Sequence, residues 1–240
     1  MRIESQPAYI LHTRNYRDSS LIVDFLTPDY GRVSGVVKGV RSNGKSAKQR
    51  RSILQPFVSL LISWSGKSEL KTITQFESRS VPIALQGKRL FSGLYVNELL
   101  SRLLQADEQH SEIYTLYEWV SNSLLDSSTI DVVLRQFELS LLSELGYGFD
   151  LSADVDSGKA LMADQQYRFY PDRGFVLLDS GSPVAATIFK GEDILAIASG
   201  EFTQQSRRAA KLLCRQALQP HLGSKPLRSR ELFSSSQPLN

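Results

Sequence analysis

The sequence predicts an α+β protein in two parts, an N-terminal five-stranded β-barrel over residues 1–80 and a helical domain over 81–240. Three observations carry this. Short runs rich in Val, Ile and aromatic residues, separated by turn residues, fill the first 80 positions. From about residue 87 the apolar spacing changes to that of a helix. Between about 147 and 186 the helical spacing lapses into a polar loop and a β-hairpin, a small insertion in the bundle.

The strands come first. "AYILHT" (8–13), "SSLIVDFLT" (19–27) and "GRVSGVVKG" (31–39) alternate in part, and "PDYG" (28–31) joins the second and third in a hairpin. "LQPFVSLLISWSG" (54–66) reads as a fourth strand and "KSELKTITQFES" (67–78) as a fifth. Five short strands need a closed sheet to hide their edges, and a barrel of the OB type does this economically. An SH3-like barrel is the alternative. "KGVRSNGKSAKQRRS" (38–52), with little that packs, reads as a mobile loop between the third and fourth strands.

Three helices follow. "GKRLFSGLYVNELLSRLLQ" aligns Leu90, Leu94, Tyr95, Leu99, Leu103 and Leu104, and "SEIYTLYEWVSNSLL" aligns Ile113, Leu116, Tyr117, Val120 and Leu124. "STIDVVLRQFELSLLSELG" aligns Ile130, Val133, Leu134, Phe137, Leu141 and Leu145, opening on a capping box Ser128-x-x-Asp131 and stopping at Gly146. Their wide apolar stripes predict that the three pack on one another. "YRFYPDRGFVLL" is a hairpin around Pro171–Gly174. Helical spacing returns in "GEDILAIAS" and in "TQQSRRAAKLLCRQALQPHLGSK", which ends near Gly223.

Composition narrows the function. No apolar run approaches the roughly 20 residues of a membrane span. "MRIESQPAYI" lacks the apolar core of a signal peptide, and the single Cys214 can form no internal disulfide, so a cytoplasmic home is expected. His12, His110 and His221 are scattered, no Walker A or GxSxG sequence occurs, and one cysteine cannot build a Cys-rich zinc site. Gly146-Tyr147-Gly148 reads as a helix stop, and Asp154 with Asp156 as solvated loop carboxylates. These observations predict a binding protein rather than an enzyme, with no cofactor and no metal.

Charge is distributed in blocks. Residues 1–97 hold 15 Lys/Arg against 6 Asp/Glu, residues 98–201 hold 6 against 18, and residues 202–240 hold 7 against 1. Such blocks mean separate surfaces for separate partners, the competing reading being solvated faces that happen to differ. Between Asp29 and Glu69 no acid interrupts Arg32, Lys38, Arg41, Lys45, Lys48, Arg50, Arg51 and Lys67. Between Glu201 and Glu231 the same holds for Arg207, Arg208, Lys211, Arg215, Lys225, Arg228 and Arg230. Polyphosphate backbones reward such surfaces through counterion release. Tyr30, Phe57, Trp64 and Phe76 are available as stacking platforms for unpaired bases, against the competing reading that each fills the core. An anionic membrane is the rival ligand, but the second interval lacks the aromatic insertion face of a membrane-surface helix. Nucleic acid leads, and an RNA-binding accessory factor of the OB class is the alternative to a DNA-binding one.

Five dispersed segments then carry a resemblance: "GRVSGVVKGVRS" (31–42), "LQPF" (54–57), "FSGLYVNELLSRLL" (91–104), "RQFELSLLSELGYG" (135–148) and "KPLRSRELF" (225–233). In order and over nearly the whole chain, they resemble the bacterial RecO family of recombination mediators, in its proteobacterial form. The resemblance implies a DNA repair and homologous recombination mediator of the RecF pathway, with an OB barrel, a helical domain and no catalytic site. It implies binding of single- and double-stranded DNA, annealing of complementary strands and loading of RecA onto strands coated with single-strand-binding protein. It also implies partners in RecR and the acidic C-terminal tail of the single-strand-binding protein, a functional link to RecF, and a nucleoid-associated location. Many relatives carry a four-cysteine zinc module where this chain has 147–186, and none of those cysteines is present here. On this reading the DNA-binding residues are Arg32, Lys38, Arg41, Lys45, Lys48, Arg50, Arg51, Arg207, Arg208, Lys211 and Arg215. Arg135, at a position that resembles one used for tail binding, is the tail contact, with Leu134 and Leu142 lining the groove. For Arg135 the competing reading is a pair with Asp131 or Glu138, and for both leucines it is core packing.

Overall fold

The computed structural model describes residues 2–178 and 187–234. The end of the expected insertion, 179–186, lies outside them. The described chain forms β1 (Arg2–Tyr16), β2 (Ser20–Thr27), β3 (Gly31–Val37), α1 (Lys45–Ile53), β4 (Leu60–Ser65), β5 (Leu70–Ser78), α2 (Gly87–Leu103), α3 (Ser111–Asp126) and α4 (Ile130–Glu144). Then come β6 (Gln166–Tyr170), β7 (Gly174–Leu177), β8 (Ile188–Lys190), α5 (Gly191–Ser199), α6 (Gln204–Leu218) and α7 (Ser229–Ser234). It divides into two compact units, residues 1–128 with 225–240, and residues 129–224.

The first unit holds the closed barrel, in the order β1-β2-β3-β5-β4. β1 is longer than the run 8–13, and its register shifts between Ile3 and Gln6 and between Ile10 and His12. Its first half pairs with β4 and its second half with β2. The barrel closes through a parallel pairing of β3 with β5, Ser34 opposite Leu70 and Val36 opposite Thr72. Gly35 permits that approach, since a Cβ there would lie 2.4 Å from the Ile73 side chain. Val23, Phe25, Val33, Leu60, Ile62 and Trp64 fill the interior.

All eight residues of β2 are buried, so both faces of this strand are covered. α2 packs on β1, and α3 on β2 and α2. Asn97 in α2 donates to the carbonyls of Ile10 and Leu11 at 3.1 and 3.2 Å, and Tyr117 in α3 donates to Asn97 at 2.9 Å. Gly93 brings α2 close to Phe57, where a Cβ would lie 2.6 Å from the ring.

Four expectations change. The fourth strand begins at Leu60, not at 54, because Leu54, Phe57 and Val58 enter the core through a turn with Phe57 at φ 65°. The basic stretch is not a loop throughout: Lys45–Ile53 form α1, anchored by Ala47 and followed by the buried Leu54. The capping box at Ser128 is not formed; Thr129 is the N-cap of α4 and makes no side-chain cap hydrogen bond. Finally, α4 belongs to the second unit, whereas α2 and α3 belong to the first; it packs on α6, and α5 packs on α6 as well.

The second unit also contains the expected hairpin, β6 with β7, extended by β8 into a three-stranded sheet. Phe149, Phe169, Phe175 and Phe189 pack with ring centroids 4.6 to 6.5 Å apart. The buried Asp154 carboxylate knits the loop before them, accepting from the Ser157 hydroxyl and from the N–H groups of Asp156, Ser157 and Leu177. Those bonds hold its carboxyl below the ordinary carboxylate range, with the Ser157 hydroxyl first among them. Asp154 is therefore a loop organiser rather than a solvated pair with Asp156.

Candidate nucleic-acid interface

The first unit gathers most of the predicted cations around α1. Lys38, Lys45, Lys48, Arg50 and Arg51 are exposed, and Arg41 is half-buried with Nη1 donating to the Arg17 carbonyl at 2.9 Å. α1 has no acid in its first turn and carries Arg50 and Arg51 in its last, which suits the negative end of the helix dipole. The Arg50 guanidinium lies 5.0 Å from the centre of the Phe76 ring on β5. Among the described residues, none of Lys38, Arg41, Lys45, Lys48, Arg50 and Arg51 forms an ion pair. A surface of cations without counter-charges attracts polyanions over about a Debye length, ~10 Å at 0.1 M salt.

Arg32 does not join them in the same way. Its Nε donates to the Leu104 carbonyl at 3.0 Å, so it caps the end of α2. The four aromatic platforms divide as well. Trp64 and Phe57 are buried, Tyr30 meets Trp64 edge-on at 5.2 Å, and Phe76 is half-buried beneath Arg50. Of the four, only Tyr30 and Phe76 keep partial exposure, and Arg50 lies over the Phe76 ring. α3 of the same unit packs on β2, all eight residues of which are buried. The surface therefore offers charge far more than stacking.

In the second unit α6 is amphipathic. Ser206, Ala210, Leu213, Cys214, Ala217 and Leu218 are buried, and Arg208, Lys211, Leu212 and Arg215 form the exposed stripe. Thr203 caps its start, Oγ1 accepting from the Ser206 N–H at 3.1 Å. Arg207 lies beside the stripe, with Nε donating to the Phe202 carbonyl at 3.1 Å and Nη1 3.8 Å from Asp131. Lys225, Arg228 and Arg230, from the same acid-free interval, belong instead to the first unit.

Arg135 is 9% exposed and its Nη2 donates to Glu138 at 2.7 Å, the i,i+3 pair of the competing reading. Burial, with the Glu138 carboxylate beside it, pushes the Cys214 thiol well up, so this thiol stays protonated and unreactive. Leu134 is 8% exposed and Leu142 1%, both core positions as the side chains stand. Reasoning from acid-free intervals passes over Arg14 and Arg17, which are exposed and form no ion pair among the described residues. Asp18 conceals them in any window count, although "RNYRD" at the tip of a hairpin was itself a signal.

No group of three or more His, Cys, Asp or Glu among the described residues could hold a metal ion. No helix among them is long and apolar enough to cross a membrane.

Comparison with known proteins agrees with this architecture. The family profile described as Recombination protein O N terminal matches residues 1–81, and that described as Recombination protein O C terminal matches residues 84–231. The DNA repair protein RecO of Cellvibrio japonicus is 42% identical over 239 residues, covering 99% of this chain and 100% of the relative. That of Pseudoalteromonas atlantica is 42% identical over 236 residues, covering 98% and 96%. That of Pseudomonas aeruginosa is 42% identical over 230 residues, covering 95% and 94%.

Proposed function

The chain belongs to the recombination protein O family, and from that premise we propose that it is a non-enzymatic recombination mediator in DNA repair. It binds single- and double-stranded DNA, anneals complementary strands and helps load RecA onto strands coated with single-strand-binding protein. The observation that carries this is the cluster of exposed cations without counter-charges on and around α1, Lys38, Lys45, Lys48, Arg50 and Arg51, with Arg41 at its edge. The α6 stripe of Arg208, Lys211 and Arg215, with Arg207 beside it, supplies a second cationic face.

Two such faces suit annealing. Two polyanions must approach, and cations lower their repulsion while leaving base edges free to pair. Phosphate contacts carry no sequence information, so binding is indifferent to sequence. The burial of Phe57 and Trp64 supports the same conclusion, because two of the four candidate stacking platforms fill the core instead.

The acidic tail of the single-strand-binding protein is the proposed ligand of Arg135, where a tail carboxylate competes with Glu138 for the guanidinium. Leu134 and Leu142 are the residues proposed to line the groove for that tail. RecR is the second partner, with RecA and RecF linked functionally, in the cytoplasm at the nucleoid.

The test is annealing of complementary oligonucleotides coated with single-strand-binding protein. Lys45/Lys48/Arg50/Arg51→Ala, folded, should lose annealing and show weaker, less salt-dependent DNA binding. Unchanged affinity and salt slope would remove α1 from the mechanism. Arg135→Ala should lose the tail peptide, and intact peptide binding would refute that contact. A matched RNA strand that displaces DNA would favour the RNA-binding alternative.

A further inference from the structure

β1 reverses its facing at one residue. Ile10 lies opposite Phe25 and His12 opposite Asp24, so two steps on β1 match one on β2 and Leu11 is the extra residue. Ile10 belongs to the barrel core, and strict alternation from it would send His12, Arg14 and Tyr16 inward as well. The extra residue inverts that. Thr13 and Asn15 oppose Val23 and Leu21, both core residues, while His12, Arg14 and Tyr16 oppose Asp24, Ile22 and Ser20. Directly opposed residues share a face, so His12, Arg14 and Tyr16 form one file on the outside of the barrel wall. Neighbours in that file are roughly 7 Å apart along the strand.

Charge gathers at the turn end of the file. Arg14 and Arg17 are exposed and form no ion pair among the described residues. The Arg17 guanidinium lies 5.1 Å from the centre of the Tyr16 ring, which brings it to the side that Arg14 occupies. Arg17 does this from φ 49°, a left-handed position that glycine or asparagine adopts at lower cost. The sequence sets a cation there against the preference of the backbone. The turn is also held, because Arg41 donates its N–H to the Ser19 carbonyl and Nη1 to the Arg17 carbonyl, both at 2.9 Å. Those bonds join it to the segment that carries Lys38 and leads into α1. Two carboxylates lie close by, and neither cancels the pair. Asp24 is buried, with the Ser34 hydroxyl donating to Oδ1 and His12 Nδ1 3.9 Å from Oδ2. Asp18 is exposed in the turn, against four cations in Arg14, Arg17, Lys38 and Arg41.

We propose that the outer face of β1 at its turn is a contact for a phosphodiester backbone, with Arg14 and Arg17 as binding residues and Tyr16 positioning Arg17. The contact rests on the reading of the protein as a DNA-binding mediator and extends its cationic surface from α1 onto the barrel wall. Guanidinium forks match phosphate oxygens in pairs, and cations in file along one strand can meet successive phosphates. The Tyr16 ring holds one fork in place before the ligand arrives, which lowers the entropy lost on binding.

The experiment measures fluorescence anisotropy of labelled oligo(dT) and of a labelled duplex against the full-length protein across a salt series. Arg14→Ala, Arg17→Gly, Tyr16→Leu and Tyr16→Phe are compared with Arg2→Ala, an exposed residue of β1 paired with Glu4. Loss of one phosphate contact lowers the slope of log affinity on log salt by about 0.7 for a single strand, or about fivefold in affinity at 0.1 M against 1 M salt. Arg14→Ala and Arg17→Gly should each show that loss, and Arg2→Ala should match wild type. Arg17→Gly should melt no lower than wild type, since glycine suits φ 49°, so its weaker binding cannot come from a damaged turn. Tyr16→Leu should weaken binding about two- to fivefold, Tyr16→Phe should restore it, and Tyr16→Leu should add nothing to Arg17→Gly. Loss on both probes assigns the contact to the backbone of either form, and loss on oligo(dT) alone assigns it to the single strand. A wild-type slope on both probes for either arginine variant, beside lost binding by Lys45/Lys48/Arg50→Ala, would overturn the contact and leave the mediator reading standing. Additive losses for Tyr16→Leu and Arg17→Gly would overturn the positioning role of Tyr16. Failure of the wild-type protein to bind either probe would overturn both the contact and the mediator reading.

Discussion

Gly31 closes the turn between β2 and β3 at φ +56°, where Thr27 Oγ1 donates to its carbonyl at 3.0 Å and accepts from the Tyr30 N–H at 3.2 Å. A Cβ there would fall 1.7 Å from the carbonyl oxygen of Glu108, a backbone atom that cannot swing aside. Gly31→Ala therefore meets both a left-handed backbone and a clash, and should cost roughly 2–4 kcal/mol in urea unfolding. An unchanged midpoint would mean that the 106–108 segment yields freely. Glu98 offers a second residue-level test. Its carboxylate accepts from the Arg228 N–H at 3.0 Å, the Ser229 N–H at 2.8 Å and the Ser229 hydroxyl at 2.7 Å, and pairs with Arg102 at 2.7 Å. Burial pulls the carboxyl upward, but those bonds together outweigh it and hold the group below its ordinary 4.5. A lowered carboxyl stabilises the folded state above its unfolded value and loses that contribution as pH falls through the lowered value. Amide protection of residues 227–233 should therefore hold from neutral pH down to about the ordinary glutamate range and decline below it. In Glu98→Gln it should be weak at every pH; full protection in that variant would show that the carboxylate is dispensable.

α1 shows an element whose local chemistry works against it. Lys45 and Lys48 stand near its positive end, Lys48 and Arg51 are three residues apart, and its N-cap Gly44 offers no side chain. Lys45→Ala/Lys48→Ala removes those like-charge contacts and leaves Arg50 on Phe76, so it should raise stability slightly, by about 0.2–0.5 kcal/mol per contact. It should weaken DNA binding at the same time. A fall in stability would mean that the lysines support the fold, and that their density needs no ligand to explain it. The same element shows where sequence reading stops. Strands with a half-buried pattern, the hairpin at 166–177 and the stop of α4 at Gly146 were legible, because period and turn residues are local signals. α1 was hidden because nine residues with one buried side chain, Ala47, leave no apolar stripe. β8 and α7, at three and six residues, are too short to show a period and form through partners distant in sequence. At the interface, the cations were legible by count. Which of them face solvent, and which cap a helix as Arg32 does or pair internally as Arg135 does, depends on tertiary neighbours.

The chain's two ends belong to one unit, a fact that no local signal announces. A division at residue 80 treats the barrel as one body and everything after it as another. In the structure the barrel, α2, α3 and the segment from Lys225 form the first unit, and residues 129–224 form the second. The returning segment is held by more than Glu98. Leu227 is 3% exposed, Phe233 meets Phe91 edge-on at 5.8 Å, and Arg102 donates to the carbonyls of Lys225 and Pro226 at 2.6 and 2.7 Å. Burying a leucine is worth about 1.5–3 kcal/mol, and Glu98 and Arg102 would lose most of their partners without the segment. A chain ending at Ser224 should therefore lose stability in the first unit, although the cut lies beyond every barrel strand. Hydrogen exchange read by mass spectrometry should show faster exchange in α2 and in the β1 residues that Asn97 holds, with α4 and α6 unchanged. DNA affinity should fall with it, since Lys225, Arg228 and Arg230 leave together with the support of α2. The opposite pattern, loosened α4 and α6 with an undisturbed α2, would show that the segment supports the second unit instead.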